Sequence, residues 1–337
     1  MSTLNPADQD ASGQEAPDLI YDILGEELLG GRYRVMKKLG QGGLASVYLA
    51  FDTELNKEVA VKVLFSDNLI VRTRLIDAGA MLAQVSHPNI VGVEPEVGGS
   101  ARFHSGSQLI FIVLEYVKGE TLDELVKCKG TFSLPEALEL ILTLCDAMDA
   151  IHKRNIFHRD IKPANLMLTD SGTLKLIDFN ISRWPRTHVC IVEADRKDII
   201  GSMGYMSPEM IFHSYSNSQG DIFGAGLSLY YLLLGDHLVD NCVKTSKEWA
   251  AHQPLSRTFE TALAFSKTRV PLLVKRLLED MLMLDPGKRP LLIELKQQIN
   301  RLQKILWCLS WMRRLRYPLL VIGLALLILL LKSCGLF

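Results

Sequence analysis

The feature that most constrains this chain of 337 residues is a change of hydrophobic period near Gly119. Before it, the runs 33–39, 45–51, 58–64 and 109–115 are dominated by β-branched and aromatic residues, with Gly-rich or polar turns between them. That pattern predicts strands. One helical interval, 69–86, interrupts them and stops before His87-Pro88-Asn89, because proline disfavours helix at the residue preceding it. After Gly119 the stretches 122–126, 133–153, 221–234, 270–284 and 291–309 carry apolar residues at helical spacing. Ser133-Leu134-Pro135-Glu136 supplies an N-cap, a first-turn proline and a third-position glutamate, so a helix is expected to start there. The expectation is an α+β fold of two lobes, β-rich over 32–116 and α-rich over 117–300, with a ligand cleft between them.

Composition excludes some partners. The formal net charge is -1, so no overall field favours nucleic acid, and none is expected as a partner. The first thirty residues hold seven acids and no Lys or Arg, and residues 1–31 are expected to be a disordered acidic tail. The six cysteines show no CxxC or metal-ligand spacing, which predicts small buried hydrophobes in a reducing compartment. The polar, acidic start is no signal peptide, so the bulk of the chain is expected to stay in the cytosol.

Three polar constellations stand out. Gly40-Gln41-Gly42-Gly43 follows one strand run and opens another at Ala45-Ser46-Val47. Glycines in a hairpin let backbone N–H groups approach phosphate oxygens, although an ordinary glycine-rich turn reads the same way. Lys62 is the lone charge within Val59-Ala60-Val61-Lys62-Val63, and a cation in such a strand is costly to bury unless an anion meets it. Finally, His158-Arg159-Asp160-Ile161-Lys162-Pro163-Ala164-Asn165-Leu166 places five polar residues at fixed spacing between apolar runs, and packing gives no reason for them. Leu176-Ile177-Asp178-Phe179-Asn180 comes shortly after.

Taken in order, these motifs resemble the eukaryotic-like bacterial Ser/Thr protein kinases, and the resemblance spans about residues 32–300. It implies the two-lobed protein-kinase fold, ATP with Mg²⁺ or Mn²⁺, and protein substrates. By resemblance Asp160 orients the substrate hydroxyl and takes its proton. Lys162 balances charge on the transferred phosphoryl, and Asn165 and Asp178 hold the metal. Gly40, Gln41, Gly42, Gly43 and Lys62 would attend the phosphates. Glu115 and Val117 would meet adenine through their backbone, with Val47, Ala60 and Met167 about the ring and Leu114 as gatekeeper. Gly201-Ser202-Met203-Gly204-Tyr205-Met206-Ser207-Pro208-Glu209 resembles the end of an activation segment, and Arg289 would pair with Glu209. Asp221 would open the helix that follows.

The sequence departs from the family in two places. Asn180 replaces the glycine of the metal motif, a mild change because Asn tolerates positive φ better than most residues. The salt-bridging Glu of the first helix falls at Ala78, with Asp77 one residue away, a rotation of roughly 100° on a helix. A nucleotide-binding pseudokinase scaffold therefore stands as the alternative to an active kinase.

The C-terminal part reads as a membrane anchor. Residues 318–331 are fourteen uncharged residues, eleven of them Leu, Ile or Val, and extension to Phe337 gives twenty. About twenty are needed to span hydrocarbon. Trp307, Trp311, Tyr317, Arg313, Arg314 and Arg316 precede the run. Aromatic and basic flanks of this kind mark a cytosolic interface. Residues 301–316 are read as a juxtamembrane segment and 317–337 as a transmembrane helix in contact with lipid. The kinase domain is then expected in the cytoplasm at the inner membrane, with no sensor domain beyond the bilayer.

Overall fold

The computed structural model describes residues 28–41, 45–64, 73, 76, 79–94, 99–102, 108–179, 204–213, 217–238 and 271–333, with the backbone alone at 99–102, 108–109, 211–213 and beyond Met312. The chain forms two compact units, residues 1–79 with 93–116 and residues 80–92 with 117–337.

The first unit is a five-stranded antiparallel sheet. Its strands are β1 (Tyr33–Gln41), β2 (Ala45–Asp52), β3 (Lys57–Leu64), β4 (Gly99–Arg102) and β5 (Gln108–Glu115), in the order β1-β2-β3-β5-β4. Four of the five lie where the alternation places them. The edge strand β4, Gly-Ser-Ala-Arg, has little β propensity and carried no signal. Side chains alternate across the sheet, so Val59, Val61 and Val63 share one face with Tyr33, Val35, Tyr48, Ala50, Phe111 and Val113 as its core. Tyr33 meets Phe111 edge-on at 5.9 Å between ring centroids.

A part-buried ion pair joins the residue before β1 to the last residue of β2. Arg32 Nε and Nη2 donate to Asp52 Oδ1 and Oδ2, each at 2.8 Å, and Asp52 also accepts the N–H groups of Glu54 and Leu55. The Arg32 side-chain hydrogen bond, outweighing desolvation, holds the Asp52 carboxyl at about 2.

In the second unit, β6 (Gly119–Thr121), β7 (Leu166–Thr169) and β8 (Leu174–Leu176) form a small antiparallel sheet in a region where only helices were expected. Its helices are α1 (Leu122–Lys129), α2 (Leu134–His152), α3 (Pro208–His213), α4 (Ser218–Leu234), α5 (Leu272–Met281) and α6 (Leu292–Ser333). The start of α2 is a capping box, with Glu136 Oε2 accepting the Ser133 N–H at 2.9 Å. Residues 79–82 are helical and the chain turns at Ala83 and Gln84, short of His87 as the proline rule requires.

Helix α4 is buried along most of its length and acts as the axis of this unit. It starts at Ser218, capped by Asn217, so Asp221 lies on its first turn and does not open it. At Gly224 a Cβ would come within 2.7 Å of the Ile161 carbonyl oxygen, and this close approach sets α4 directly under the 158–165 loop. Arg289 is buried and every donor is used. It pairs bidentately with Glu209 at 2.7 and 2.8 Å and donates to the carbonyls of Met283, Leu284 and Gln219.

Helix α6 is longer than the 291–309 expected. Leu295, Ile299 and Leu302 are buried, and Lys296–Asp146 (2.5 Å) and Gln303–Glu139 (2.7 Å) tie its first turns to α2. It then continues without a break to Ser333. Among the described residues no helix is long and apolar enough to cross a membrane, and residues 318–331 fall where only the α6 backbone is described. Of the cysteines, Cys145 is buried, with burial pushing its thiol up to about 12. Cys128 and Cys308 are exposed, contrary to the expectation of burial, one on α1 and one on α6. Cys190, Cys242 and Cys334 lie outside the described residues.

Candidate active site

The loop after α2 is held from below by one carboxylate. Asp221, fully buried, accepts the backbone N–H of His158 at 3.0 Å on Oδ2 and that of Arg159 at 2.7 Å on Oδ1. His152 Nε2 reaches the same Oδ2 at 2.8 Å. Burial alone would raise the Asp221 carboxyl, but the hydrogen bond and charge of His152, with His158 and the Arg159 N–H, outweigh it and hold it below the ordinary value. The loop backbone is thereby bent, with Arg159 at φ 65°.

His158 links this loop to the next motif. Its Nδ1 accepts the Asp160 N–H at 3.3 Å, so Nε2 carries the proton and donates to the Ile177 carbonyl at 3.0 Å. Burial pushes the His158 pKa down and keeps the ring in that neutral tautomer. The ring also packs on Phe179 at 4.6 Å. Sequence reasoning assigned no role to His152 or His158. His158 opened the polar constellation noted in the sequence, whereas His152, at the polar end of an apolar helix, gave no signal apart from the tertiary contact to Asp221.

Asp160 is the centre of the arrangement. Its Oδ2 accepts from Lys162 Nζ at 2.8 Å and from Asn165 Nδ2 at 2.9 Å, and its carbonyl accepts the other Asn165 proton at 2.7 Å. Oδ1 is buried and has no partner among the described residues. Leaving a buried acceptor unpaired costs about 1–3 kcal/mol, which calls for an explanation beyond packing.

Asn165 and Asp178 are brought to one end of the β7–β8 hairpin. Leu166 pairs with Leu176, and the Ile177 N–H donates to the Asn165 carbonyl at 2.9 Å. Both amide protons of Asn165 go to Asp160, so its Oδ1 is left as an acceptor. Asp178 is exposed and adopts φ 53°. Two hard oxygens at a loop end suit a magnesium-sized cation, which takes one or two protein oxygens and completes its shell with phosphate and water. Asn180, where sequence reasoning looked for the positive φ, lies outside the described residues. Met167 is half-buried on β7 opposite Thr121, and Val117 is buried at the start of this unit.

In the first unit, register sets the other candidates. Lys62 on β3 lies between Val47 of β2 and Ile112 of β5, and Ala60 lies between Leu49 and Leu114. Directly opposed residues share a face, so Val47, Ala60 and Lys62 occupy the face away from the Val59-Val61-Val63 core. Gly40 pairs with Val47, and Gln41 ends β1 exposed. Glu115 ends β5, half-buried, opposite Val59. Gly42, Gly43, Asp77, Ala78 and Ser202 lie outside the described residues.

The family model described as protein kinase domain matches residues 33–299. The probable serine/threonine-protein kinase PknB of Bifidobacterium longum is 34% identical over 213 residues, covering 62% of this chain and 31% of the relative. Serine/threonine-protein kinase PrkC of Bacillus subtilis is 34% identical over 215 residues, covering 61% of this chain and 31% of the relative. The chain thus spans about a third of the length of the curated relatives it matches. A crystal structure of Rad53 in complex with AMP-PNP shares the fold, with a TM-score of 0.63 at 22% identity over 80% of this chain and 65% of that one. With a family match over most of its length and bacterial Ser/Thr kinases among its relatives, the chain belongs to the protein kinase domain family.

Proposed function

We propose that this chain is a serine/threonine protein kinase that transfers the γ-phosphate of ATP to protein hydroxyls and is held at the cytoplasmic face of a membrane by its C-terminal helix. The observation that carries the transfer reading is the asymmetric carboxylate of Asp160. One oxygen is fixed by Lys162 and Asn165, and the other is buried without a partner among the described residues. That Oδ1 accepts the proton of an incoming Ser or Thr hydroxyl and aims its oxygen for attack. Lys162 holds the carboxylate in one rotamer and brings positive charge beside the phosphoryl group.

Asn165 Oδ1 and Asp178 would hold Mg²⁺ or Mn²⁺, which when bound neutralises charge on the phosphate oxygens. Lys62 would serve the α/β-phosphates, with Gly40, Gln41, Gly42 and Gly43 over them. Val47, Ala60 and Met167 would flank adenine, and the backbones of Glu115 and Val117 would bond to it. Asp221 and His158 act on geometry alone, since both are committed to the loop backbone.

Incubating the full chain with radiolabelled ATP, Mg²⁺ or Mn²⁺ and a generic Ser/Thr substrate tests the reading. Transfer that disappears in Lys62→Ala is expected. Nucleotide binding with no transfer under any of these conditions would replace the kinase with a nucleotide-binding scaffold. The membrane part is tested by flotation with liposomes and by extraction at alkaline pH, where the full chain is expected to stay with lipid. Recovery as a soluble monomer without detergent would refute it.

A further inference from the structure

Among the described residues Gln303 makes the last hydrogen bond from α6 to α2, and the turns after it expose apolar side chains, with only Leu306 half-buried. Trp307 is 66% and Trp311 53% exposed, and Ile305, Leu309 and Met312 are similarly open. At about 100° per residue, Ile305, Leu309 and Met312 form one stripe, while Trp307 and Trp311 form another on the opposite side. A groove on a protein partner would cover one stripe and leave the other wet. Two exposed apolar stripes on opposite sides, with half-buried Leu306 and exposed Ser310 between them, are covered together only by surroundings that are apolar on both sides.

Resting on the membrane reading above, we propose that residues 305–312 lie within the interfacial headgroup layer of an anionic bilayer, so that the hydrocarbon boundary falls near Met312 and not at Tyr317. Length supports this register. Residues 318–331 span only about 21 Å at 1.5 Å per residue, short of the roughly 30 Å hydrocarbon core. The twenty residues from Met312 to Leu331 span about 30 Å, matching it with no contribution from Lys332. Arg313, Arg314 and Arg316 follow within one turn of that boundary. Arginine is tolerated near such a boundary because a long apolar stem allows its charge to stay with anionic headgroup phosphates. The two tryptophans, one turn apart, take the interfacial position that their apolar ring and polar N–H favour.

This register has a consequence for the catalytic unit. Gln303, still bonded to α2, precedes Trp307 by four residues, about 6 Å along the helix. No linker separates the folded unit from the interface, so its reach is limited to substrates at the same membrane surface.

The test uses the full chain with Trp184→Phe and Trp249→Phe, which leaves Trp307 and Trp311 as the only indole reporters. It is reconstituted into phosphatidylglycerol/phosphatidylcholine vesicles containing lipids brominated high on the acyl chain. The expected result is blue-shifted emission, strongly quenched by the brominated lipid and little affected by acrylamide. Co-flotation with vesicles combined with quenching by acrylamide alone would overturn this placement while leaving the anchor in place. Shielding from both quenchers would mean that the stripes pack against a second copy or another protein, and would overturn it too. Failure to float with vesicles would remove the anchor and this inference together.

Discussion

Lys162 Nζ lies 2.8 Å from Asp160 Oδ2, on the same oxygen that Asn165 occupies, while Oδ1 faces no partner among the described residues. Asp160→Asn keeps the shape but removes the proton acceptor, so phosphate transfer is expected to fall by about 10²–10⁴ with thermal stability retained. Lys162→Ala frees Oδ2 and should lower turnover with a smaller effect on nucleotide affinity. Single-turnover kinetics beside nucleotide titrations separate the two outcomes. Equal losses of binding and turnover in both variants would argue against these roles.

Gly224 and Gly226 sit two residues apart on α4 and differ in what they face. A Cβ at 224 would meet the Ile161 backbone carbonyl at 2.7 Å, whereas one at 226 would meet side-chain atoms of Leu282 and Met281 at 3.0 Å. Backbone cannot give way as a leucine methyl can. Gly224→Ala is therefore expected to cost about 1–3 kcal/mol and to displace the 158–165 loop. Gly226→Ala is expected to cost less and to spare activity. Thermal melts and transfer assays on the pair check this.

Ser207 is buried, and its Oγ has no partner among the described residues. An unpaired buried hydroxyl is a net loss, so Ser207→Ala is expected to stabilise the protein by about 1 kcal/mol. The readout is a rise in melting temperature, and a fall would reveal a bond to the Oγ.

The Arg32–Asp52 pair makes the first unit sensitive to acid. The folded Asp52 carboxyl lies at about 2, below the ordinary unfolded value of about 4, so the folded state binds fewer protons than the unfolded one. Its contribution is complete above about pH 4 and is lost as the pH falls toward 2. Asp52→Asn should abolish that dependence and also destabilise the unit near neutrality, because it leaves the Arg32 guanidinium facing an amide. Denaturant titrations from pH 2 to 7, following exchange of the β1 and β2 amides, measure both effects.

Local periodicity made β1, β2, β3, β5 and the long helices legible, because each buries one face and that face repeats every two or 3.6 residues. The Ser133 cap and the Glu209–Arg289 pair were legible for similar reasons, one being a local bond and the other resting on a motif. Strands β4, β6, β7 and β8 were not, since three or four residues are too short to show a period and are ordered only by the strand beside them. The chain order of Asp160, Lys162, Asn165 and Asp178 was plain from the residues. Tertiary packing alone decided that Asp221, sixty-odd residues away, would hold the loop's N–H groups, that His158 would carry its proton on Nε2, and that Gly224 would leave room for Ile161. Sequence sets what each segment can bury. Which buried acceptor meets which donor depends on contacts between distant segments, and those exist only once the helices and strands have packed.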